Sequence, residues 1–108
     1  MKEPSDPLAQ ARFEAALDTR FELELPATGH TLSLHLFEVT ARTAPPGYEQ
    51  YSALFRGPVT PALAQATYVM RHPAFGELAL FIVPVGRDAS SITYEACVAR
   101  RTGTIVIP

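Results

Sequence analysis

Cysteine is almost absent from this chain, and tryptophan is absent altogether. The 108 residues include one cysteine, Cys97, and no tryptophan. A single cysteine excludes an intrachain disulfide and a zinc site built from several thiolates. Charged residues and two prolines occupy residues 1–7, where the apolar run of a signal peptide would begin. We therefore expect a cytoplasmic protein.

Clustered charge of one sign and long apolar runs are also missing. Nine Lys and Arg residues stand against eleven Asp and Glu, giving a formal net charge of −2. Nonspecific nucleic-acid binding depends on clustered Lys and Arg, so we expect no nucleic-acid partner. The longest apolar stretch, residues 78–85, is far shorter than the roughly 20 residues of a membrane-spanning helix, so we expect no membrane partner either.

What the chain does contain is enough apolar sequence for one domain, residues 1–108. Its hydrophobic fraction of 47% excludes disorder. Asp6 followed by Pro7 is typical of a helix start, and apolar residues continue on one stripe to Leu17, which predicts one helix at about residues 7–17. After Asp18 the apolar period changes to two, which predicts a β region at about residues 20–107.

A first hairpin is predicted from two alternating stretches on either side of Thr28 and Gly29. If that dipeptide is a two-residue turn, the facing pairs are apolar with apolar and polar with polar: Phe21 with Leu36, Leu23 with Leu34, Leu25 with Leu32, and Glu22 with His35. Past Leu36 the apolar positions become Phe37 and Val39. This change of parity predicts a β-bulge.

A second hairpin is predicted around residues 73–75, with Gly76 near the turn. The predicted pairs are Arg71 with Glu77, Met70 with Leu78, and Tyr68 with Leu80. Residues 80–83 are apolar on both faces, which predicts a central strand. Ile92 begins a last alternating strand, in which Cys97 is expected to be a small buried residue.

These elements predict a mainly β (α+β) fold, a small antiparallel barrel or curled sheet of six to seven strands with one N-terminal helix. Two proline-containing segments, residues 43–50 and 59–66, are expected to be irregular. The segment after residue 103 is predicted to add an edge strand or to pair with another chain.

No arrangement of residues indicates catalysis, a metal site or a cofactor. His30 and His35 are five apart in an extended segment, which sends their side chains to opposite faces. Ser90 and Ser91 lack the glycines of a nucleophile elbow, and the glycines are too scattered for a phosphate loop. We therefore predict a protein that is not an enzyme and that binds no cofactor.

Several residues are predicted to have structural roles at strand ends and turns: Arg56, Gly57, Pro58, His72, Gly76 and Gly86. The guanidinium of Arg56 is expected to donate to backbone carbonyls or to a carboxylate of its own chain, since it has five donors beside a rigid turn. His72 is expected to brace its turn.

Spaced clusters between residues 51 and 98 resemble a family of short bacterial single-domain proteins of uncharacterised function. The clusters are Leu54-Phe55-Arg56-Gly57-Pro58, Thr67-Tyr68, His72-Pro73, Gly76-Glu77-Leu78, Phe81-Ile82-Val83-Pro84-Val85-Gly86 and Tyr94-Glu95-Ala96. The resemblance implies an accessory component, sometimes associated with phage-tail-like or surface-fibre proteins, and it supplies no catalytic residue.

We therefore predict a noncatalytic protein-binding or assembly module that binds a protein partner or self-associates as a homo-oligomer. The alternative is a small-ligand-binding β-barrel, and a hydrolytic enzyme is the least favoured function. The predicted partner-binding residues are apolar or β-branched positions in the irregular segments and the tail: Tyr48, Val59, Leu63, Thr104, Ile105, Val106 and Ile107.

Overall fold

The computed structural model describes residues 8–101, in which one short helix precedes six strands. The elements are α1 (Gln10–Ala15), β1 (Arg20–Glu24), β2 (Thr31–Arg42), β3 (Tyr48–Gly57), β4 (Ala66–His72), β5 (Gly76–Arg87) and β6 (Ile92–Arg101). This architecture confirms the mainly β prediction. The predicted strand at residues 104–107 lies outside the described residues.

The six strands form one antiparallel sheet in the order β1-β2-β3-β6-β5-β4, and β4 pairs back with β1, so that the sheet closes on itself. Closure rests on two short ladders. Only Glu22–Arg71 and Leu23–Met70 pair between β1 and β4. The β5–β6 ladder is also short, whereas β3 and β6 pair over ten successive positions.

Helix α1 is shorter than predicted and closes one end of the sheet. Asp6 and Pro7 lie outside the described residues; α1 follows Ala9, which makes no side-chain capping bond. The helix cannot continue past Asp18, whose φ of 65° is left-handed. Phe13 is buried between Phe21 and Phe75, with ring centroids at 6.0 and 5.0 Å.

The predicted register of the first hairpin is wrong by two residues. Phe21 pairs with Leu34 and Leu23 with Leu32, because the connection has four residues, 26–29. Leu25 N–H donates to His30 C=O at 2.8 Å, Gly29 N–H donates to Leu25 C=O at 2.7 Å, and Gly29 has a φ of +76°. A two-residue shift preserves side-chain parity, so the predicted core face is correct.

This shift also separates Glu22 from His35. Glu22 pairs with Ser33 and accepts its hydroxyl hydrogen at 2.7 Å. His35 pairs with Arg20, and its Nε2 lies 3.1 Å from Oδ1 of Asp18. The predicted facing pair Glu22–His35 is therefore wrong.

The predicted bulge and the second hairpin are confirmed. The β2–β3 register shifts between Leu36 and Glu38, where the apolar parity changes. The pairs Met70–Leu78, Tyr68–Leu80 and Arg71–Glu77 all occur. Gly76 follows the turn with a φ of +70°.

β5 is a central strand, as predicted, because it pairs with β4 on one side and β6 on the other, but only one of its faces is buried. Leu78, Leu80 and Ile82 are buried, but Phe81 and Val85 are each 51% exposed. Parity explains this, since side chains of one strand alternate between the two faces of the sheet. Pro84 has no N–H to donate, and the β5–β6 register shifts between Pro84 and Gly86.

The interior of the ring is filled by apolar side chains from all six strands and α1. Its largest fully buried members are Tyr51, Tyr94, Phe13, Phe21, Phe55, Leu23, Leu34, Leu36, Met70 and Ile82. The segment at residues 58–65 crosses irregularly, as predicted, but residues 48–50 belong to β3.

Candidate functional site

The β5–β6 ladder ends halfway along both strands. The pairs run from Arg87–Ile92 to Val83–Glu95, and no further pair joins these strands among the described residues. Beyond Glu95, β6 remains paired with β3 up to Arg101, and β5 remains paired with β4 down to Gly76. Two strand edges therefore face each other without a ladder; we call this gap, between residues 79–82 and 96–99, the seam.

A cavity of about 190 Å³ lies in the seam. Its lining is Leu8, Ala79, Leu80, Phe81, Ala96, Cys97, Val98 and Ala99. Leu80 and Val98 point into the core, whereas Phe81 and Cys97 are exposed on the outer face. Inner and outer residues of both strands line one cavity, which identifies it as the space between the two strands.

Apolar side chains predominate on the outer face of the strands that border the seam. We call this surface the seam patch and define it by Val69, Ala79, Phe81, Val83, Cys97 and Ala99. Val69 is directly opposite Ala79 on the neighbouring strand, and Val69 and Phe81 are each more than half exposed. An exposed apolar patch on a small protein is typical of an interaction site.

A hydrogen-bonded polar group fixes one side of the seam. The Ser52 hydroxyl donates to Oε2 of Glu95 at 2.6 Å and accepts from Nη1 of Arg42 at 3.0 Å. Arg42 Nη1 is also 3.7 Å from Glu95 Oε2, and the Cys97 sulfur is 3.8 Å from the Ser52 oxygen. Ser52 is buried, and its two hydrogen bonds connect β2, β3 and β6 beside the seam.

Cys97 and Phe81 are the residues of this site that sequence reasoning missed. Cys97 is exposed, which corrects the expectation of a small buried residue. The sequence pattern could have predicted that Phe81 is exposed. Once Met70 is paired with Leu78, the alternation of side chains places Phe81 on the opposite face from Leu78. What parity could not reveal is that the β5–β6 ladder stops.

The predicted partner-binding residues are dispersed. Tyr48 is 43% exposed, and the Arg101 guanidinium lies 5.8 Å from its ring centroid. Leu63 is only 5% exposed and donates its backbone N–H to the Tyr94 hydroxyl at 2.9 Å, so the expectation that it is exposed is wrong. Val59 packs partly buried against the core. Thr104, Ile105, Val106 and Ile107 lie outside the described residues.

Beside Leu63, residues 84–87 border a second, open depression of about 450 Å³. Its lining is mostly apolar and comprises Ala62, Leu63, Pro84, Val85, Gly86, Arg87 and Ile92. Arg87 is its one charged residue. The depression lies where the β5–β6 ladder is intact, so it offers no unpaired strand edge.

His72 braces its turn, as predicted. Its Nδ1 accepts the Ala74 N–H at 3.0 Å, and its Nε2 is 2.8 Å from the hydroxyl oxygen of Thr19. The Thr19 hydroxyl donates to the Ala16 carbonyl at 2.6 Å, so Nε2 must carry the hydrogen that joins it to Thr19. Burial lowers the pKa of His72, in agreement with this neutral tautomer.

Arg56 stabilises a different feature from the one predicted. Its guanidinium carbon lies 3.8 Å from the ring centroid of Phe37, the residue at the β2 bulge. Within residues 8–101 the guanidinium makes no hydrogen bond. The prediction that it donates to carbonyls or to a carboxylate is therefore wrong. The β2 bulge explains why Arg56 contacts Phe37. Phe37 is the extra residue at the register shift between Leu36 and Glu38, close to the His35–Arg56 pair.

Gly57, Pro58 and Gly86 lie at strand ends and irregularities, as predicted. β3 ends at Gly57, where a Cβ atom would be 2.6 Å from Cδ2 of Leu34. Pro58 follows outside the strand. Gly86 pairs with Thr93 immediately after the β5 irregularity.

The described residues show neither a metal cluster nor a membrane-spanning helix. Between residues 8 and 101, no three His, Cys, Asp or Glu side chains come together as ligands of an ion would. In the same range, no helix has the length and apolar character needed to cross a membrane.

Comparison with known proteins identifies a family. No curated protein and no solved structure matches the chain. One family model matches residues 8–98, which include α1, the whole of β1–β5 and β6 as far as Val98. The chain therefore belongs to the family described as a domain of unknown function, DUF6916.

Proposed function

We propose that this chain is a noncatalytic protein-binding module and that the seam is its binding site. The observation that carries the proposal is the end of the β5–β6 ladder at Val83–Glu95. Beyond this pair, two strand edges present backbone N–H and C=O groups toward one cavity. Such edges are the part of a sheet to which another polypeptide adds by main-chain hydrogen bonds.

The chemistry of the seam favours a polypeptide over other ligands. The side chains that line it are uncharged, with no cation for a phosphate and no carboxylate for a sugar or a metal. Burial of a backbone edge is favourable only when its donors and acceptors are paired. A peptide backbone supplies both kinds of group at the spacing of a strand.

The alternative, a small-ligand-binding barrel, has less support. A ligand site needs a cavity with a few convergent polar groups. The interior of this ring is instead packed with buried aromatic and aliphatic side chains, such as Tyr51, Phe55 and Ile82. Homo-oligomerisation, a cytoplasmic location and an accessory role in phage-tail-like or surface-fibre assemblies are parts of the same proposal, and the last rests on family resemblance.

The test uses Cys97, which lines the seam and is the single cysteine of the chain. A photo-cross-linker attached to its thiol should form one defined adduct with a protein from a lysate of the source organism. Phe81→Ser should weaken that adduct, because it removes the largest exposed apolar side chain beside the seam.

A matched control places the same cross-linker on β2, which does not border the seam. The Cys97→Ser/Thr31→Cys variant carries the label at an exposed strand position. It should not form the adduct. Identical adducts from both positions, or none from Cys97, would contradict a binding site at the seam.

A further inference from the structure

The seam combines strand edges that lack a ladder with a lining of uncharged side chains, and together these restrict what can bind there. All eight lining residues are uncharged, and none carries a side-chain amide or hydroxyl. Charged residues flank it directly on β6, with Glu95 before Ala96 and Arg100 after Ala99. Both are already paired, Glu95 with Arg42 and Arg100 with Glu49. A charged side chain placed in the cavity would lose hydration and would meet no side chain of opposite charge among these lining residues.

We propose that the seam binds an uncharged, extended segment of another polypeptide chain, added as a strand between β5 and β6. This inference rests on the proposed protein-binding function and names the chemistry of the partner. The unladdered part of β6, residues 96–99, spans about 13 Å in extended conformation, which matches a segment of about four residues.

Such a segment contacts two different environments in alternation. Side chains directed inward meet Leu80 and Val98, which belong to the core. Side chains directed outward meet Phe81 and Cys97 on the seam patch. The partner segment is therefore expected to carry branched apolar residues at its inward positions, with β-branched residues favoured throughout.

The chain itself supplies a suitable probe sequence. Residues 102–108, TGTIVIP, contain no charged side chain and four successive β-branched residues. These residues lie outside the described part of the structure, and their sequence is used here as a synthetic peptide. A control peptide carries the changes Ile105→Asp and Ile107→Asp, which introduce charge at alternate positions.

The first measurement is the rate of alkylation of Cys97 in the full-length Ile105→Asp/Ile107→Asp protein. The two changes prevent the protein's own residues 102–108 from competing with the probe. The TGTIVIP peptide should slow alkylation about tenfold once it occupies about nine sites in ten. The charged control peptide should leave the rate unchanged. Equal protection by both peptides, or by neither, would overturn the proposal.

The second measurement tests whether the bound segment is a strand. Peptides with one cysteine at successive positions are trapped as disulfides with Cys97. Because strand side chains alternate between faces, cross-linking should be strong at every second position and weak between. Equal trapping at all positions would contradict strand addition.

Alkylation of Cys97 in the unmodified protein shows whether the bound segment comes from a second copy or from the same chain. Protection of Cys97 that increases with protein concentration identifies a second copy as the partner and supports the proposal. Protection that is independent of concentration and is lost in the Ile105→Asp/Ile107→Asp variant would assign the seam to the chain's own segment and overturn it. If the photo-adduct forms at Cys97 but the TGTIVIP peptide does not protect Cys97, the proposed protein-binding function stands. That result overturns only the inference of an uncharged, extended partner segment.

Discussion

His72 and Thr19 join the tip of the β4–β5 hairpin to the segment between α1 and β1. Nε2 of His72 donates to the Thr19 hydroxyl, which donates in turn to Ala16 at the end of the helix. The His72 ring also lies 4.4 Å from the ring of Phe21. One neutral imidazole thus connects the turn, the helix and the aromatic core.

The first prediction is that acid weakens the fold through His72. Its folded-state pKa is lowered from the ordinary 6.5 by burial, so the unfolded state takes up the proton first as pH falls. The contribution of His72 to stability is complete above pH 6.5 and is lost as pH falls from there to the folded pKa. Protonation would also place a second hydrogen at Nδ1, opposite the Ala74 N–H.

Two measurements check this prediction. NMR titration of the His72 ring should give a pKa below 6.5. Denaturant unfolding between pH 8 and pH 5 should show a smaller loss of stability in His72→Asn, whose side-chain oxygen can still accept the Ala74 N–H but does not titrate. A pKa at or above 6.5 would contradict the neutral network.

The second prediction concerns Arg56 and Phe37. Their contact is a cation–π interaction on the exposed face of the sheet, which is worth about 0.5–1 kcal/mol. A double-mutant cycle with Arg56→Gln and Phe37→Leu should give a coupling energy of this size. Additive effects in the cycle would mean that the two side chains do not stabilise each other.

The third prediction is that Gly57→Ala destabilises the protein. The added methyl group would be 2.6 Å from Cδ2 of Leu34 and 3.4 Å from Cε2 of Tyr94, and both of these side chains are buried. Overpacking of this kind costs about 1–3 kcal/mol. Gly86→Ala is the matched control, since its methyl group would meet Thr93 at an ordinary 3.9 Å. Equal melting temperatures for the two variants would contradict the close packing at Gly57.

The β4–β5 hairpin was predictable to the residue because its turn signal and its side-chain pattern agree. Arg71–Glu77 and Met70–Leu78 fix the register, and Gly76 adopts the left-handed conformation that the turn requires. In the first hairpin, the same reasoning gave the correct faces and the wrong partners. Parity is the same for a two-residue and a four-residue connection, so alternation alone could not choose between them.

The seam could not be predicted because it depends on where a ladder stops. Nothing in the alternation of Ile92, Tyr94, Ala96 and Val98 shows that pairing with β5 ends at Glu95. The ring has to close through strands that are distant in the sequence, and hydrophobic pattern carries no information on that geometry. Arg56 shows a similar limit, since its partner Phe37 comes beside it only through a bulge on the neighbouring strand.

The last prediction compares two neighbouring residues of β5. Ile82 is fully buried, and Ile82→Ala should lower the free energy of unfolding by about 2–5 kcal/mol, because it leaves a cavity in the core. Phe81 is half exposed on the seam patch, and Phe81→Thr should change stability by no more than about 0.5 kcal/mol. Threonine suits a strand, so the backbone is not disturbed. Denaturant unfolding measures both, and a large loss for Phe81→Thr would mean that its ring stabilises the monomer. If stability is unchanged while the photo-adduct at Cys97 weakens, the exposed ring serves binding and not folding.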